Sequence, residues 1–304
     1  MLVKEGWKAL TDELLSLAAY RRPLRYVPNA GNAGDALIAA GAWQLFDELG
    51  LSPVPTRTTQ LRLADVAMYA GGGNLVSEYQ DCARFLERCL AVGVKRALVL
   101  PQTVRGHEAL LRRLDQRFTI VCREGESLER LRSIGTSAKI ISAPDLALRL
   151  DVERLLSRCA ELPARAHFAQ DLLLHGRLPA YLKWRSRLLA LSRERRPTMH
   201  IIRGDAEAVP GVSGEARWDV SGLYWSEFML RSEVEFVSRD LLQLVQGARE
   251  VVTNRLHAGV AAALMGRRVT YTDNSYGKIR AVYNSSLNDI ATISFGAGAG
   301  ERAA

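Results

Sequence analysis

The sequence has no apolar run near the roughly 20 residues a membrane-spanning helix needs, and its four cysteines include no CxxC pair. Cys82, Cys89, Cys122 and Cys159 also lack a histidine at zinc-ligand spacing, so they read as reduced thiols of a cytoplasmic protein rather than as metal ligands. Aromatic residues make up only 7%, and there is no aromatic RNA-binding strand, zinc finger or long basic tract with interleaved aromatics. The common nucleic-acid-binding modules are thereby excluded. Two nucleotide loops are missing as well. No GK[ST] follows a glycine-rich turn, and NAGNAGD (29–35) does not have GxGxxG spacing. The stretch SPVPTRTT, about 20 residues further on, offers no acid for a ribose. Acidic residues are in deficit too, with 33 Asp+Glu against 41 Lys+Arg for a net charge of +8. That excess favours anionic partners, such as phosphorylated metabolites or a phospholipid surface. The first residues, MLVKEGWKALTDELLSLAAYRR, alternate charge and apolarity at helical spacing and read as an amphipathic helix rather than a secretion signal.

What the chain does contain is a regular alternation of strands and helices. With 304 residues it has room for about two domains. LRYVP (24–28), VAMYAGGGN (66–74), KRALVLPQTV (95–104), FTIVCREGES (118–127) and AKIISAPDLAL (138–148) read as strands running into turns. Between them ALIAAGAWQLFDELG (36–50) and DCARFLERCLAVG (81–93) have helical periodicity. The alternation resumes with TMHIIRGD (198–205), a helix over 238–248, EVVT, a further helix, RRVTYTD (267–273) and a last helix from Lys278. This pattern predicts an α/β fold with parallel, doubly wound sheets and ligands beyond the carboxyl ends of the strands. The expected domains are 1–150 and 198–304, joined by a basic helical crossover over 151–197, with a cleft between the α/β halves as the natural site. Within the crossover, GRLPAYLKWRSRLLALSRERRP (176–197) has two readings. One is a solvated connecting helix. The other is a helix lying on an anionic membrane through Tyr181, Trp184 and its cations.

VVTNRLHAGVAAALMGRRV (251–269) carries the sharpest chemical signal. Thr253 or Asn254 is placed to cap the helix, which is apolar and small from Ala258 to Met265. Arg255 and His257 nevertheless sit in its first turn, where the backbone dipole disfavours cations by up to ~1 kcal/mol each. Either both side chains point to solvent, or an anion belongs at that helix start.

With these elements placed, the chain resembles the polysaccharide pyruvyltransferase family. The resemblance rests on NAGNAGDALI, AGGGN, LPQT, CREGES, APDLAL, IIRGDAE, TNRLHAGVAAALMG and NSYGKIRAVYNSSL, in that order, over about residues 25–287. It implies two Rossmann-like domains in a glycosyltransferase-B-like arrangement, the first on the acceptor side and the second on the donor side. It also implies transfer of the enolpyruvyl carbons of phosphoenolpyruvate onto two hydroxyls of a sugar, giving a pyruvate ketal and phosphate. By the same resemblance the acceptor is a lipid-linked exopolysaccharide repeat unit at the cytosolic face of the inner membrane, and no cofactor is implied.

Each candidate residue has a chemical reading and a plainer one. A donor bearing both phosphate and carboxylate needs fixed cations, and Arg grips either group with two parallel bonds. Arg203, Arg255, Leu256, His257 and Lys278 form the expected donor set. A salt bridge to Asp205 or Glu207 is the plainer reading of Arg203, and surface exposure that of Lys278. His257 is the expected proton donor, held charged by an adjacent dianion. Asp35 is the expected base or acceptor toward a sugar hydroxyl, although Asp is also common at helix starts. Asn29, Asn32, Gly73, Asn74, Gln102, Thr103, Ser275 and Tyr276 are the expected substrate contacts. Arg123 and Glu124 read as an ion pair, and Asp145 as a loop anchor. The sequence demands no metal, because arginines can neutralise the donor. Two other readings stay open: a glycosyltransferase using a nucleotide-diphosphate sugar, and a non-catalytic glycan-binding subunit of a polysaccharide assembly complex.

Overall fold

Runs such as VAMY, buried at every position, suit a parallel sheet covered on both faces. The computed structural model describes residues 2, 5–194, 196–203, 219–220, 223–273 and 277–296. Two compact units result, one formed by residues 3–30 with 41–149, the other by 1–2, 31–40 and 150–304. The glycine-rich turn and the first part of its helix thus group with the later residues, unlike the expected division at 150.

In chain order the elements up to residue 149 are α1 (Lys8–Ala18), β1 (Leu24–Val27), α2 (Ala33–Glu48), β2 (Val54–Pro55), β3 (Val66–Tyr69), β4 (Gly72–Val76), α3 (Asp81–Val92), β5 (Arg96–Arg105), α4 (Glu108–Leu111), β6 (Phe118–Cys122), α5 (Gly125–Ile134) and β7 (Lys139–Ser142). They build a seven-stranded parallel sheet in the order β2-β1-β3-β5-β6-β7, with β4 also on β5. The long strand β5 explains that arrangement. Its first half pairs with β3 and its second half with β4, while its register against β6 shifts between Val99 and Gln102. Pro101 lies in that gap, where a residue without an N–H can sit inside a sheet. The glycines after β3, expected to end the strand, instead lead into β4. On one face Tyr26, Trp43 and Phe46 meet edge to face at 5.5–5.6 Å. On the other, Tyr69, Phe85, Leu86, Phe118 and Ile120 belong to one buried cluster.

The helix α1 is tied to this sheet by a buried carboxylate. Glu13 accepts hydrogen bonds from Arg96 (3.0 Å), Thr119 Oγ1 (2.8 Å) and Lys139 Nζ (2.5 Å). Burial alone would raise its pKa, but the bonds from Lys139, Thr119 and Arg96 outweigh it and hold the carboxyl below its ordinary value. A carboxylate lowered by folding stabilises the protein above its unfolded pKa, and that contribution is lost as pH falls through the folded value. Glu13→Gln should therefore cost about 2 kcal/mol at neutral pH. In urea melts the gap to the parent should close as pH falls below the ordinary glutamate range.

The remaining elements are α6 (Val152–Ala160), α7 (Leu162–Leu174), α8 (Leu178–Arg193), β8 (Thr198–Ile201), α9 (Arg231–Gln246), β9 (Glu250–Thr253), α10 (Leu256–Leu264), β10 (Arg268–Tyr271), α11 (Lys278–Ser286) and β11 (Ile293–Phe295). Four parallel strands in the order β11-β10-β9-β8 form the second sheet. The helix α9 begins seven residues earlier than the sequence predicts. Its first turns look polar, yet Glu233 and Glu235 are buried. Glu233 pairs with Arg177, and Glu235 with Arg158 and Arg231. Ion pairs from distant residues are invisible to a periodicity reading. Among the described residues, no helix is long and apolar enough to cross a membrane. The four cysteines are free and buried, and burial pushes the Cys122 and Cys159 thiols up to about 12. They are poor nucleophiles in that state.

Candidate functional site

The unit holding residues 31–40 and 150–304 joins the glycine-rich turn to the Arg-Leu-His helix start. Asn32 precedes α2, and its Oδ1 accepts the Gly34 N–H at 2.7 Å. Asp35 Oδ2 in turn accepts the Asn32 N–H at 2.9 Å. The two bonds satisfy backbone donors at the start of α2, so Asp35 does serve the helix start. Glycine is required here by close approach. A Cβ on Gly31 would overlap the Asp35 carboxylate, and one on Gly34 would come within 3.0 Å of His257 Cβ and 3.3 Å of Nδ1. Asp35 and His257, 222 positions apart in the chain, are thus neighbours of one short turn. Gly31 and Ser226 exchange backbone hydrogen bonds at 2.9 and 3.0 Å, fixing the turn to the rest of the unit.

The start of α10 differs from the expected cap. Arg255 occupies the position before the first helical residue, and it makes no capping bond with its side chain. Thr253 Oγ1 instead donates to the Ile201 carbonyl (2.6 Å) and accepts the Arg255 N–H (2.9 Å), binding β9 to β8. Asn254 Oδ1 accepts the Arg203 N–H at 2.7 Å, which sets the chain leaving β8 beside the helix start. The first-turn amides point out of the helix. The helix is seated by Tyr271, whose hydroxyl donates to the Leu256 carbonyl at 2.7 Å. Gly259 makes room for that ring, which a Cβ would overlap.

Arg255 does not point to solvent; the residue is 7% exposed. Its Nε donates to Asp219 Oδ1 at 2.8 Å, and Nη2 donates to Asp219 Oδ2. This two-pronged grip fixes the plane of the guanidinium. Sequence reading missed Asp219, which lies 36 residues away in a stretch without a motif. His257 and Arg203 are half-buried, and Leu256 is buried. Asp205 and Glu207, the alternative partners of Arg203, lie outside the described residues, as do Ser275 and Tyr276. Lys278 opens α11, but its side chain is also outside the description.

The other unit gathers a separate polar cluster at the carboxyl ends of its strands. Tyr69 donates to Asn29 Oδ1 at 2.8 Å. Asn74 Nδ2 donates to the Tyr69 hydroxyl (2.9 Å) and to Asn29 Oδ1. Gln102 accepts the Asn74 N–H at 3.1 Å and donates to the Ala70 carbonyl at 2.8 Å. Asn29, Gly73, Asn74 and Gln102 thus come together, but Asn29, Asn74 and Gln102 are largely occupied with holding strand ends, and Thr103 is engaged by Arg123 instead. The expected ion pair is repartnered. Arg123 binds Asp145 (2.6 Å) and Thr103 Oγ1 (2.9 Å), while Glu124 accepts from Ser127. Burial raises the Glu124 pKa against the opposing bond from Ser127.

The chain is thus a parallel α/β protein with polar side chains at its strand ends, and with Arg and His at one helix start beside a glycine-rich turn. The chain belongs to the polysaccharide pyruvyl transferase family, whose model matches residues 32–276. The match takes in the turn from Asn32 and the whole Arg255–His257 helix start. A solved structure of an uncharacterised protein from Klebsiella pneumoniae subsp. pneumoniae NTUH-K2044 is similar, with 23% identity and a TM-score of 0.75. The similarity covers 97% of this chain and 100% of that one, and at this identity it establishes the fold alone. No curated protein matches significantly.

Proposed function

We propose that the protein transfers the enolpyruvyl carbons of phosphoenolpyruvate onto two hydroxyls of one sugar, forming a cyclic pyruvate ketal and releasing phosphate. The family match over residues 32–276 carries this reading, and the closeness of the Asp35 turn to His257 supports it. The acceptor is a lipid-linked exopolysaccharide repeat unit, met at the cytosolic face of the inner membrane. Arg255, with its plane set by Asp219, takes one oxygen pair of the donor, and Arg203 and Lys278 add charge. Asn29, Asn32, Gly73, Asn74, Gln102, Thr103, Ser275 and Tyr276 are assigned to substrate contacts.

Protonation of donor C3 makes C2 electrophilic, and the first sugar hydroxyl adds there. The C2–O bond to phosphate then breaks, and the second hydroxyl closes the ring. Of the two hydroxyl protons released, one balances the proton placed on C3 and the other leaves with phosphate. His257 supplies the proton, and Asp35 receives one from a hydroxyl. Fixed cations lower the barrier because charge moves onto the departing phosphate. The test is incubation with phosphoenolpyruvate and lipid-linked glycans, followed by mass spectrometry. One pyruvic acid less one water should be gained per phosphate released. Turnover with nucleotide sugars, or glycan binding without phosphate release, would overturn the reading.

A further inference from the structure

The sequence of helix α8 left two readings open, a solvated connector or a helix lying on an anionic membrane. Trp184 and Tyr181, the aromatics that suggested membrane contact, are buried at 0% and 6% exposure. Tyr181 donates to Asp240 at 2.7 Å and stacks edge-on against Phe168. Arg177 and Arg185 are likewise committed, to Glu233 and Asp240. The outer face is different. Leu182 and Leu189 are 53% and 49% exposed, and Leu173 and Leu174, where α7 turns into α8, are 65% and 72% exposed. These four leucines are four of the ten exposed large hydrophobic side chains among the described residues, and they fall within 17 residues.

Cations adjoin the two leucines of α8. At 100° per residue Leu182, Leu189, Ser186 and Arg193 share one stripe of α8, with Lys183 and Arg187 along its flank. All six are exposed. Lys183, Arg187 and Arg193 have no ion pair among the described residues. No Asp or Glu occurs from Leu172 to Arg193, and Glu194 just beyond engages Arg196 at 3.1 Å.

We propose that this face, the end of α7 and the outer side of α8, docks on an anionic phospholipid bilayer, with the leucines entering the headgroup boundary and the three cations meeting lipid phosphates. Exposed apolar side chains flanked by unpaired cations match that partner in both chemistry and charge. A second copy of the chain matches poorly, because a self-complementary contact would set cations against cations.

The test is co-sedimentation of the full chain with vesicles of phosphatidylcholine alone and of phosphatidylcholine with phosphatidylglycerol. It needs neither donor nor glycan, so its failure would leave the proposed reaction untouched. Binding is expected only to the anionic vesicles and should weaken with added salt. Substituting Lys183→Gln, Arg187→Gln and Arg193→Gln together should weaken it roughly a hundredfold. Leu182→Ser with Leu189→Ser should weaken it at least tenfold while preserving the salt dependence. All these positions are exposed, and unchanged melting midpoints will show that the variants fold. No binding by the parent chain, or binding the variants leave intact, overturns the proposal. So does a change of oligomeric mass in the leucine variant by light scattering, which would mark a protein interface instead.

Discussion

Arg255→Lys is expected to lower kcat/KM for phosphoenolpyruvate roughly a hundredfold, chiefly through KM, while the fold survives. The guanidinium is held in plane by two parallel bonds to Asp219, with Nε at 2.8 Å from Oδ1. A lysine keeps the charge but can neither accept that fixed orientation nor offer two parallel donors to the ligand. The loss corresponds to about 2.7 kcal/mol of binding, a reasonable share for one bidentate, largely desolvated contact. Asp219→Asn separates holding from binding. An amide can still accept from one N–H, so the arginine stays nearby but loses its set plane and its charge partner. A loss of about tenfold is expected, again in KM, which marks Asp219 as a positioning residue. Steady-state phosphate release across donor concentrations reads both variants. If Arg255→Lys turned over with an unchanged KM, the donor would have to be held elsewhere.

The sequence shows Arg255 and His257 as cations at the unfavourable end of a helix, and a reader of the chain alone can ask for an anion there. It does not show Asp219. Nothing in the spacing of residues 219 and 255 announces a pair, because the intervening chain folds back through α9 and β9. Asp35 was legible as either a helix-start residue or a base, and its bond from the Asn32 N–H shows that it performs at least the first role. The parallel sheets were legible because their buried strands are continuous apolar runs. β4 and the early start of α9 were not. In the first case Pro101 and the glycines interrupt an otherwise regular ladder. In the second, arginines from α6, from the residue just before α8 and from α9 itself neutralise glutamates that make a buried helix look polar. The burial of Tyr181 and Trp184 was hidden for a related reason: aromatics among cations look interfacial, yet α8 turns these two inward and leaves leucines outside.

His257→Gln should lower kcat by about three orders of magnitude with little change in melting temperature, because a general acid commonly contributes 10²–10⁴-fold. Glutamine preserves hydrogen-bonding capacity and much of the volume beside Gly34, where the imidazole already lies within 3.3 Å of the position a Cβ would take. What it removes is the transferable proton. Asp35→Asn provides the companion measurement, because it divides the two roles of that residue. Asparagine can still accept the Asn32 N–H and keep the helix start, so stability should fall by no more than about 1 kcal/mol. It cannot take a proton from a sugar hydroxyl at neutral pH. If Asp35 acts on the acceptor, Asp35→Asn loses activity while keeping its melting temperature and its KM for phosphoenolpyruvate. If it only caps α2, Asp35→Asn turns over normally and Asp35→Ala loses stability. Measuring both Asp35 variants with His257→Gln, alone and combined, then decides whether the neighbouring pair acts in one step. Two groups serving the same proton transfer show losses that fail to add, whereas independent groups multiply theirs.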